Sequence, residues 1–271
     1  MFKKKYLSAP YILFILCGTV IPLLAIIYYG FTDQKGHFTL NNILAIRDPE
    51  HLQALWLSLL FAFAATVFCL MIAYPVGLIL RRSAAGKKGL VVFILILPMW
   101  MNFLLRTMAW KALLAKNGVI NSLLTGLGLK GLDIIGTPAA VILGLVYDYL
   151  PFMILPIYNV MVKIDNSLVE AAEDLGSSRL QVLLHVLLPL SLPGVISGIT
   201  MVFVPCMTTF AISNMLGGGK IYLIGNIIEQ EYTISNNWQL GSGLSLVIMV
   251  FILASMAVVN RFDKEGEGSL I

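Results

Sequence analysis

Six apolar runs, each close to the length of a bilayer-spanning helix, limit what this chain can fold into more than any other feature. They read approximately as 11–29, 53–80, 89–110, 138–161, 192–214 and 243–260. A hydrocarbon core of about 30 Å takes about 20 apolar residues per helical span. The expectation is an all-α membrane protein with six transmembrane helices filling residues 10–262, a short N-terminus at 1–9 and a tail at 263–271. The bulk numbers agree: 59% of residues are hydrophobic, 12% are charged and the mean hydropathy is +0.90, far from a soluble domain. The first run follows Lys3, Lys4 and Lys5 as a secretory signal would. It is longer than such a segment, has no small-residue cleavage site after it, and reads as a retained span.

Six spans put both termini on one side. Sorting the 18 Lys and Arg places eleven with the termini (Lys3, Lys4, Lys5, Arg81, Arg82, Lys87, Lys88, Lys163, Arg179, Arg261 and Lys264) and seven opposite. The positive-inside rule then makes the termini, the 81–88 loop and the 163–190 loop cytoplasmic. Basic residues flank spans instead of tracking a face interleaved with aromatics, so no nucleic-acid partner is expected. Cys17, Cys69 and Cys206 all lie within apolar runs and read as small core residues. No His, Cys or carboxylate cluster has ligand or catalytic spacing, which argues against an enzyme or a metal site. Gly217-Gly218-Gly219-Lys220 lacks both the spacing and the following Ser or Thr of a P-loop.

The 163–190 loop is a polar island carrying Glu170-Ala171-Ala172-Glu173-Asp174-Leu175-Gly176 and, nine residues beyond that glycine, Val186-Leu187-Leu188-Pro189. Ser167 with Glu170 three positions on fits a capping box and predicts a helix start. Gly176 offers a left-handed terminator, Ser177 or Ser178 can cap a second short helix, and Pro189 is expected to limit it. The two alanines should leave one side of the first helix bare for another protein's groove.

The pattern resembles the "EAA" loop of ABC-type importer permeases: EAA, three residues, Gly, nine residues, Ile, any residue, Leu, Pro, with Val186 standing for Ile. That resemblance implies a type I permease fold in a bacterial inner membrane, and a coupling helix seated in a cleft of an ATPase subunit. Glu170, Ala171, Ala172, Gly176, Leu188 and Pro189 are the coupling residues it implies. The implied partners are two ABC ATPase subunits that bind the ATP, a second permease paralogous to this one, and an extracytoplasmic substrate-binding protein. No cofactor belongs to this chain itself.

Candidate pathway residues come from polar and aromatic groups inside the runs. Asp148 is the one acidic residue within a span. Ten residues in from Pro138 it sits near mid-bilayer, where an unpaired carboxylate costs about 2.5–3.5 kcal/mol. Either a helix–helix hydrogen bond or an ion pair with Arg106 holds it, or it is a counter-charge for a cationic substrate, with Tyr147 and Trp100 also deep. In the third run Trp100, Phe103, Thr107 and Trp110 fall at helical spacing, with Asn102 and Arg106 beside them. Trp100 offers a cation–π face. Phe203, Met207, Phe210 and Asn214 form a similar stripe in the fifth run. Pro98 and Pro151 are the prolines most expected to bend their spans.

Leu97-Pro98-Met99-Trp100-Met101-Asn102 through Arg106, Gly144-Leu145-Val146-Tyr147 to Leu150-Pro151-Phe152-Met153, Leu216-Gly217-Gly218-Gly219 and Leu223-Ile224-Gly225-Asn226 together are similar to permease subunits of spermidine/putrescine importers. The resemblance implies polyamine cargo, whose ammonium groups suit a carboxylate among aromatics. Related importers of sulfate, molybdate, iron or thiamine share parts of these stretches, and for anions Arg106 and Lys111 would be recruited. A stand-alone secondary transporter should show repeat symmetry, which is not visible here. The predicted outer segments carry net charges of −1 (31–52), +3 (106–138) and −1 (216–240). Such a mouth does not steer cations from a distance, so a capture protein must deliver them.

Overall fold

In the computed structural model of the chain, residues 9–83 and 90–268 are described. Lys3, Lys4, Lys5, Lys87 and Lys88, which weigh in the charge sorting, lie outside them. The long elements are α1 (Pro10–Gly30), α2 (Pro49–Arg82), α3 (Leu90–Ile96) running into a 3-10 turn at Leu97–Trp100, and α4 (Phe103–Leu114). Then come α5 (Val119–Gly126), α6 (Pro138–Met161), α7 (Asn166–Asp174) and α8 (Arg179–Thr208). The chain continues through α9 (Ala211–Leu216), α10 (Ile224–Thr233) and α11 (Trp238–Gly268). Among the described residues five helices are long and apolar enough to cross a membrane, and a bent pair, Val91–Trp100 with Phe103–Gly126, makes a sixth if counted as one span.

The third run is where the structure departs most from a continuous helix. It breaks by 92°. Pro98 donates no N–H, Met101 is extended (φ −78°, ψ 148°), and the side chain of Asn102 accepts from the N–H groups of Leu104 (2.9 Å) and Leu105 (3.4 Å), starting a new helix. Trp100 and Phe103 therefore do not share one helical stripe. The fifth run also breaks, at Thr209–Phe210, so Asn214 lies on a different helix from Phe203 and Met207. By contrast α6 continues as one helix through both Pro151 and Pro156.

The chain divides into two compact units, Met1–Ala54 with Ile227–Leu253, and Leu55–Asn226 with Ala254–Ile271. In the first, Asp33 accepts from the backbone N–H groups of Lys35 and His37, both at 2.8 Å, and closes a tight turn after α1. The His37 bond holds its carboxyl below the usual carboxylate range. Asn42 Nδ2 donates to Thr32 O at 2.9 Å. A Cβ on Gly243 would lie 2.5 Å from Asn42 O, so glycine is required for that approach.

The second unit is built on α6 against α8. At Gly194 a Cβ would come within 2.8 Å of Pro156 O, and at Gly198 within 2.7 Å of Met153 Sδ. Small residues let the two backbones approach closely where lipid gives no hydrophobic drive between helices. Met153, Ile157, Met161, Val202 and Cys206 are fully buried in this unit.

Candidate functional site

Two places in the second unit carry the residues singled out above. The first is the elbow between α6 and α8. Helix α7 starts two residues earlier than the capping box at Ser167 predicts: Asp165 is the N-cap, its carboxylate accepting from Ser167 N–H at 3.0 Å. That backbone bond holds the Asp165 carboxyl below its ordinary range. Helix α7 ends as expected. Gly176 has φ +84°, its N–H donates to Glu173 O (2.9 Å), and Ser177 N–H donates to Ala172 O (3.0 Å), which is a Schellman closure.

Ser178 caps the next helix, exchanging hydrogen bonds with Gln181 in a complete capping box. Pro189 does not end that helix. A π turn at Leu183–Leu187 carries the chain past it, with Leu188 N–H bonding to Leu183 O, and helix continues to Thr208. The wider turn relaxes the register in which a proline ring would strike a carbonyl four residues back.

Val169, Val182 and Leu187 form the elbow's buried core, against which Leu78, Ile164, Ala172, Leu183 and Val186 pack. Ala172 thus faces inward and Ala171 outward, so the bare side expected of the pair belongs to Ala171 alone. Glu170, Glu173, Asp174, Leu188 and Pro189 are exposed as well. The outer surface also shows Leu168, Leu175, Leu180 and Leu184, with Leu175 88% exposed. An acidic rim thus surrounds these uncovered leucines.

The second place is the broken span. Arg106 and Asp148 are both buried and form an ion pair, Nε to Oδ1 at 2.5 Å. The N–H is not aimed at that oxygen, so the contact is charge to charge. Thr107 Oγ1 donates to Asp148 Oδ2 at 3.2 Å. Arg106 Nη1 donates to Pro98 O at 2.9 Å, across the break, and its guanidinium carbon lies 5.8 Å from the Tyr147 ring centroid. Tyr147 and Trp110 meet edge to face at 5.1 Å. One arginine therefore fastens α3, α4 and α6 together. Of the readings weighed for Asp148, the structure provides the ion pair with Arg106 and, through Thr107 of α4, a hydrogen bond between helices.

The other pathway residues sit apart from this cluster. Trp100 is 76% exposed and meets Phe93 edge to face at 5.9 Å; Phe103 is exposed beside it in sequence, and Asn102 is occupied as an N-cap. Phe203 lines an apolar groove of about 380 Å³ with Phe63, Val67, Leu70 and Ile199. Asn214 is exposed and accepts from Asn226 Nδ2 at 2.6 Å. Asn226 is itself fully buried, accepts from Ser213 Oγ (2.7 Å) and Leu223 N–H (2.8 Å), and donates to Phe210 O (3.1 Å). It pins the second break. Gly225 fits under it because a Cβ there would meet Thr208 O at 2.5 Å. The sequence shows these two only as part of a similarity to known permeases, with no local signal for their role.

A family model described as binding-protein-dependent transport system inner membrane component matches residues 73–265. The chain belongs to that family, and it is a multi-pass inner membrane protein. It is 37% identical over 253 residues to the spermidine/putrescine transport system permease protein PotB of Haemophilus influenzae, a match covering 90% of this chain and 88% of that one. With PotB of Escherichia coli the identity is 39% over 232 residues, covering 85% and 84%. The inner membrane ABC transporter permease protein YdcU of Escherichia coli is 30% identical, covering 90% and 83%.

Among solved structures, a chain of a bacterial ABC transporter that imports the acidic polysaccharide alginate superposes with a TM-score of 0.81 at 15% identity, covering 96% of this chain and 94% of that one. A chain of the MetNI methionine ABC transporter gives 0.53 at 19% identity, covering 80% and 94%. These likenesses establish the fold, an all-α ABC importer permease, as the sequence predicts.

Proposed function

We propose that this chain is the membrane-spanning permease subunit of an ATP-driven importer of polyamines such as spermidine and putrescine. The observation that carries the reading is its identity of 37% and 39%, over most of both chains, to two spermidine/putrescine permeases. ATP is bound and hydrolysed by two separate ATPase subunits, a second permease completes the pathway, and an extracytoplasmic binding protein delivers the cargo. Both termini and the α7–α8 elbow are cytoplasmic.

In this reading the elbow is the coupling segment. Glu170, Ala171 and Gly176 present α7 to the ATPase, while Ala172 packs it onto the transmembrane helices; Leu188 and Pro189 carry the chain out of the π turn into α8. A nucleotide-dependent change in the ATPase can bias the permease only through contacts that differ between two arrangements, and the exposed leucines with their acidic rim supply such contacts. A rigid Schellman closure, a complete capping box and a buried core make the elbow stiff enough to transmit the push.

Substrate passes the broken third span. Trp100, Phe103 and Tyr147 offer aromatic faces to ammonium groups, each contact contributing about 0.5–2 kcal/mol as water is excluded. Phe203 and Asn214 border the same route. Asp148, already neutralised by Arg106, shapes the route by holding Arg106 on Pro98 O. The test is reconstitution of the complex, purified with its native partners, into vesicles. ATP-dependent uptake of spermidine, competed by putrescine and not by sulfate, molybdate, iron or thiamine, is expected. Uptake of one of those competitors in place of polyamine overturns the cargo, and uptake by this chain without ATPase partners overturns the mechanism.

A further inference from the structure

Arg81 ends the apolar stretch of α2, yet it is only 5% exposed. Among the described residues it has no acidic ion-pair partner, so its charge is not there to meet a carboxylate. The guanidinium is instead directed at one end of the helix pair that brackets the elbow. Nε donates to Met161 O at 3.1 Å, and Nη2 donates to Ile164 O at 3.2 Å and to Asn166 Oδ1 at 3.0 Å. Met161 closes α6, Ile164 lies in the connection, and Asn166 is the first residue of α7.

A cation at this position is favoured by the partial negative charge of the α6 C-terminus and satisfies carbonyls that the helix leaves without partners. Arginine suits it because a fixed fork reaches acceptors on two elements at once, which a lysine ammonium on a single stem does not. Two further contacts fasten the same end of α2. Leu78, nearly one turn earlier, packs on the Val169, Val182 and Leu187 core of the elbow. At Gly77 a Cβ would stand 3.0 Å from both Ile157 Cγ2 and Met161 Sδ, so α2 and α6 run in tight contact there.

We propose that Arg81 is a positioning residue of the transport cycle: it ties the ends of α2 and α6 to the first turn of α7, so that displacement of α7 moves both spans as one body. This rests on the elbow being the coupling segment proposed above. Asn166 is the arm of the tie on the moving helix, and the Met161 and Ile164 carbonyls are its arm on the span.

The experiment uses the complete transporter purified with its native partners, reconstituted with its binding protein and with spermidine as the probe. Arg81→Lys, Arg81→Gln, Asn166→Ala and Gly176→Pro are compared by the number of spermidine molecules imported per ATP hydrolysed. A residue that merely helps the chain fold lowers import and hydrolysis together with the amount of complex, and leaves the ratio alone. The tie predicts that the ratio falls about ten-fold in Arg81→Lys and Arg81→Gln, the factor that losing one charge-assisted hydrogen bond corresponds to, and about three-fold in Asn166→Ala.

Should the arginine variants fail to assemble, Asn166→Ala, altered at an exposed position, reads the same link. An unchanged ratio in every assembled Arg81 and Asn166 variant, alongside a fallen ratio in Gly176→Pro, overturns the tie and leaves the coupling segment standing. An unchanged ratio in Gly176→Pro as well overturns the coupling segment itself.

Discussion

Replacing Arg106 and Asp148 singly and together separates two roles that a buried ion pair can have. Asp148→Leu leaves a guanidinium whose remaining partners are the Pro98 carbonyl and the Tyr147 ring, with no counter-charge, and Arg106→Met leaves a carboxylate whose one remaining polar partner in the structure is Thr107. Removing one member of a buried pair costs about 3–5 kcal/mol, because the survivor is a desolvated, uncompensated charge. The double variant removes both charges. It keeps one small deficit, since the half-buried Pro98 O loses the donor Nη1 of Arg106 but still accepts from Met101 N–H at 3.3 Å, a net loss of about 0.5–1.5 kcal/mol. The double variant should therefore be more stable than either single one, with a coupling of at least about 2 kcal/mol, or about 30-fold in the folding equilibrium.

Equilibrium denaturation in a fixed detergent mixture, followed by near-ultraviolet circular dichroism, measures the cycle. Losses that simply add would mean that the two side chains do not meet in the folded protein, and the account of the broken span would be wrong. Uptake of spermidine by the double variant then distinguishes a structural pair from a substrate ligand. Recovery of uptake along with stability assigns Asp148 to Arg106. Recovery of stability without uptake means that the carboxylate itself meets the cargo.

Three further outcomes follow from the same geometry. Gly176→Ala keeps an open surrounding but forces a side chain into φ +84°, at about 1–2 kcal/mol. Hydrogen exchange at the Gly176 and Ser177 amides should quicken by about 5–30-fold with little change in α6. Asn226→Leu orphans the buried Leu223 N–H, while Phe210 O keeps Ser213 Oγ and Asn214 N–H as donors, and should cost about 1–3 kcal/mol in the same denaturation assay, whereas Ser213→Ala, which orphans no backbone group, should cost less. Gly194→Val drives a side chain into Pro156 O and should lower stability by about 1–3 kcal/mol or more, while Gly126→Ala, with nothing within 4 Å, should be neutral.

Where the sequence was informative, the reason is local chemistry. The apolar runs mark the spans because bilayer thickness sets their length, and the Gly176 terminator and Ser178 cap follow from which residues tolerate a positive φ or accept from free amides. Asp165 took the cap because its carboxylate reaches the Ser167 amide, two positions before Ser167 itself could cap. The breaks were harder to see. Asn102 follows Pro98 by four residues, a stop and then a start, but inside an apolar run hydropathy averages over them and the pattern reads as one helix.

Long-range partners left the least trace. Arg81 reads as a topology charge at the end of a span, and two of its three acceptors are backbone carbonyls about 80 residues away, which any sequence would supply. Arg106 could be proposed for Asp148 because both are ionisable groups in an apolar setting. Its bond to Pro98 O depends on a bend that pairing rules do not predict. Pro189 failed as a terminator because a π turn absorbs the missing N–H, and nothing in the composition of Leu183–Leu187 announces that turn.

The central claim is that the exposed face of α7 lies on the cytoplasmic side and is covered by the ATPase. Ala171→Cys, in a chain with Cys17 replaced, tests it with a membrane-impermeant maleimide. The thiol should stay unlabelled in right-side-out vesicles, react in inverted vesicles stripped of the ATPase, and be protected when the ATPase is restored. Labelling in right-side-out vesicles, or labelling that the restored ATPase does not diminish, would contradict it.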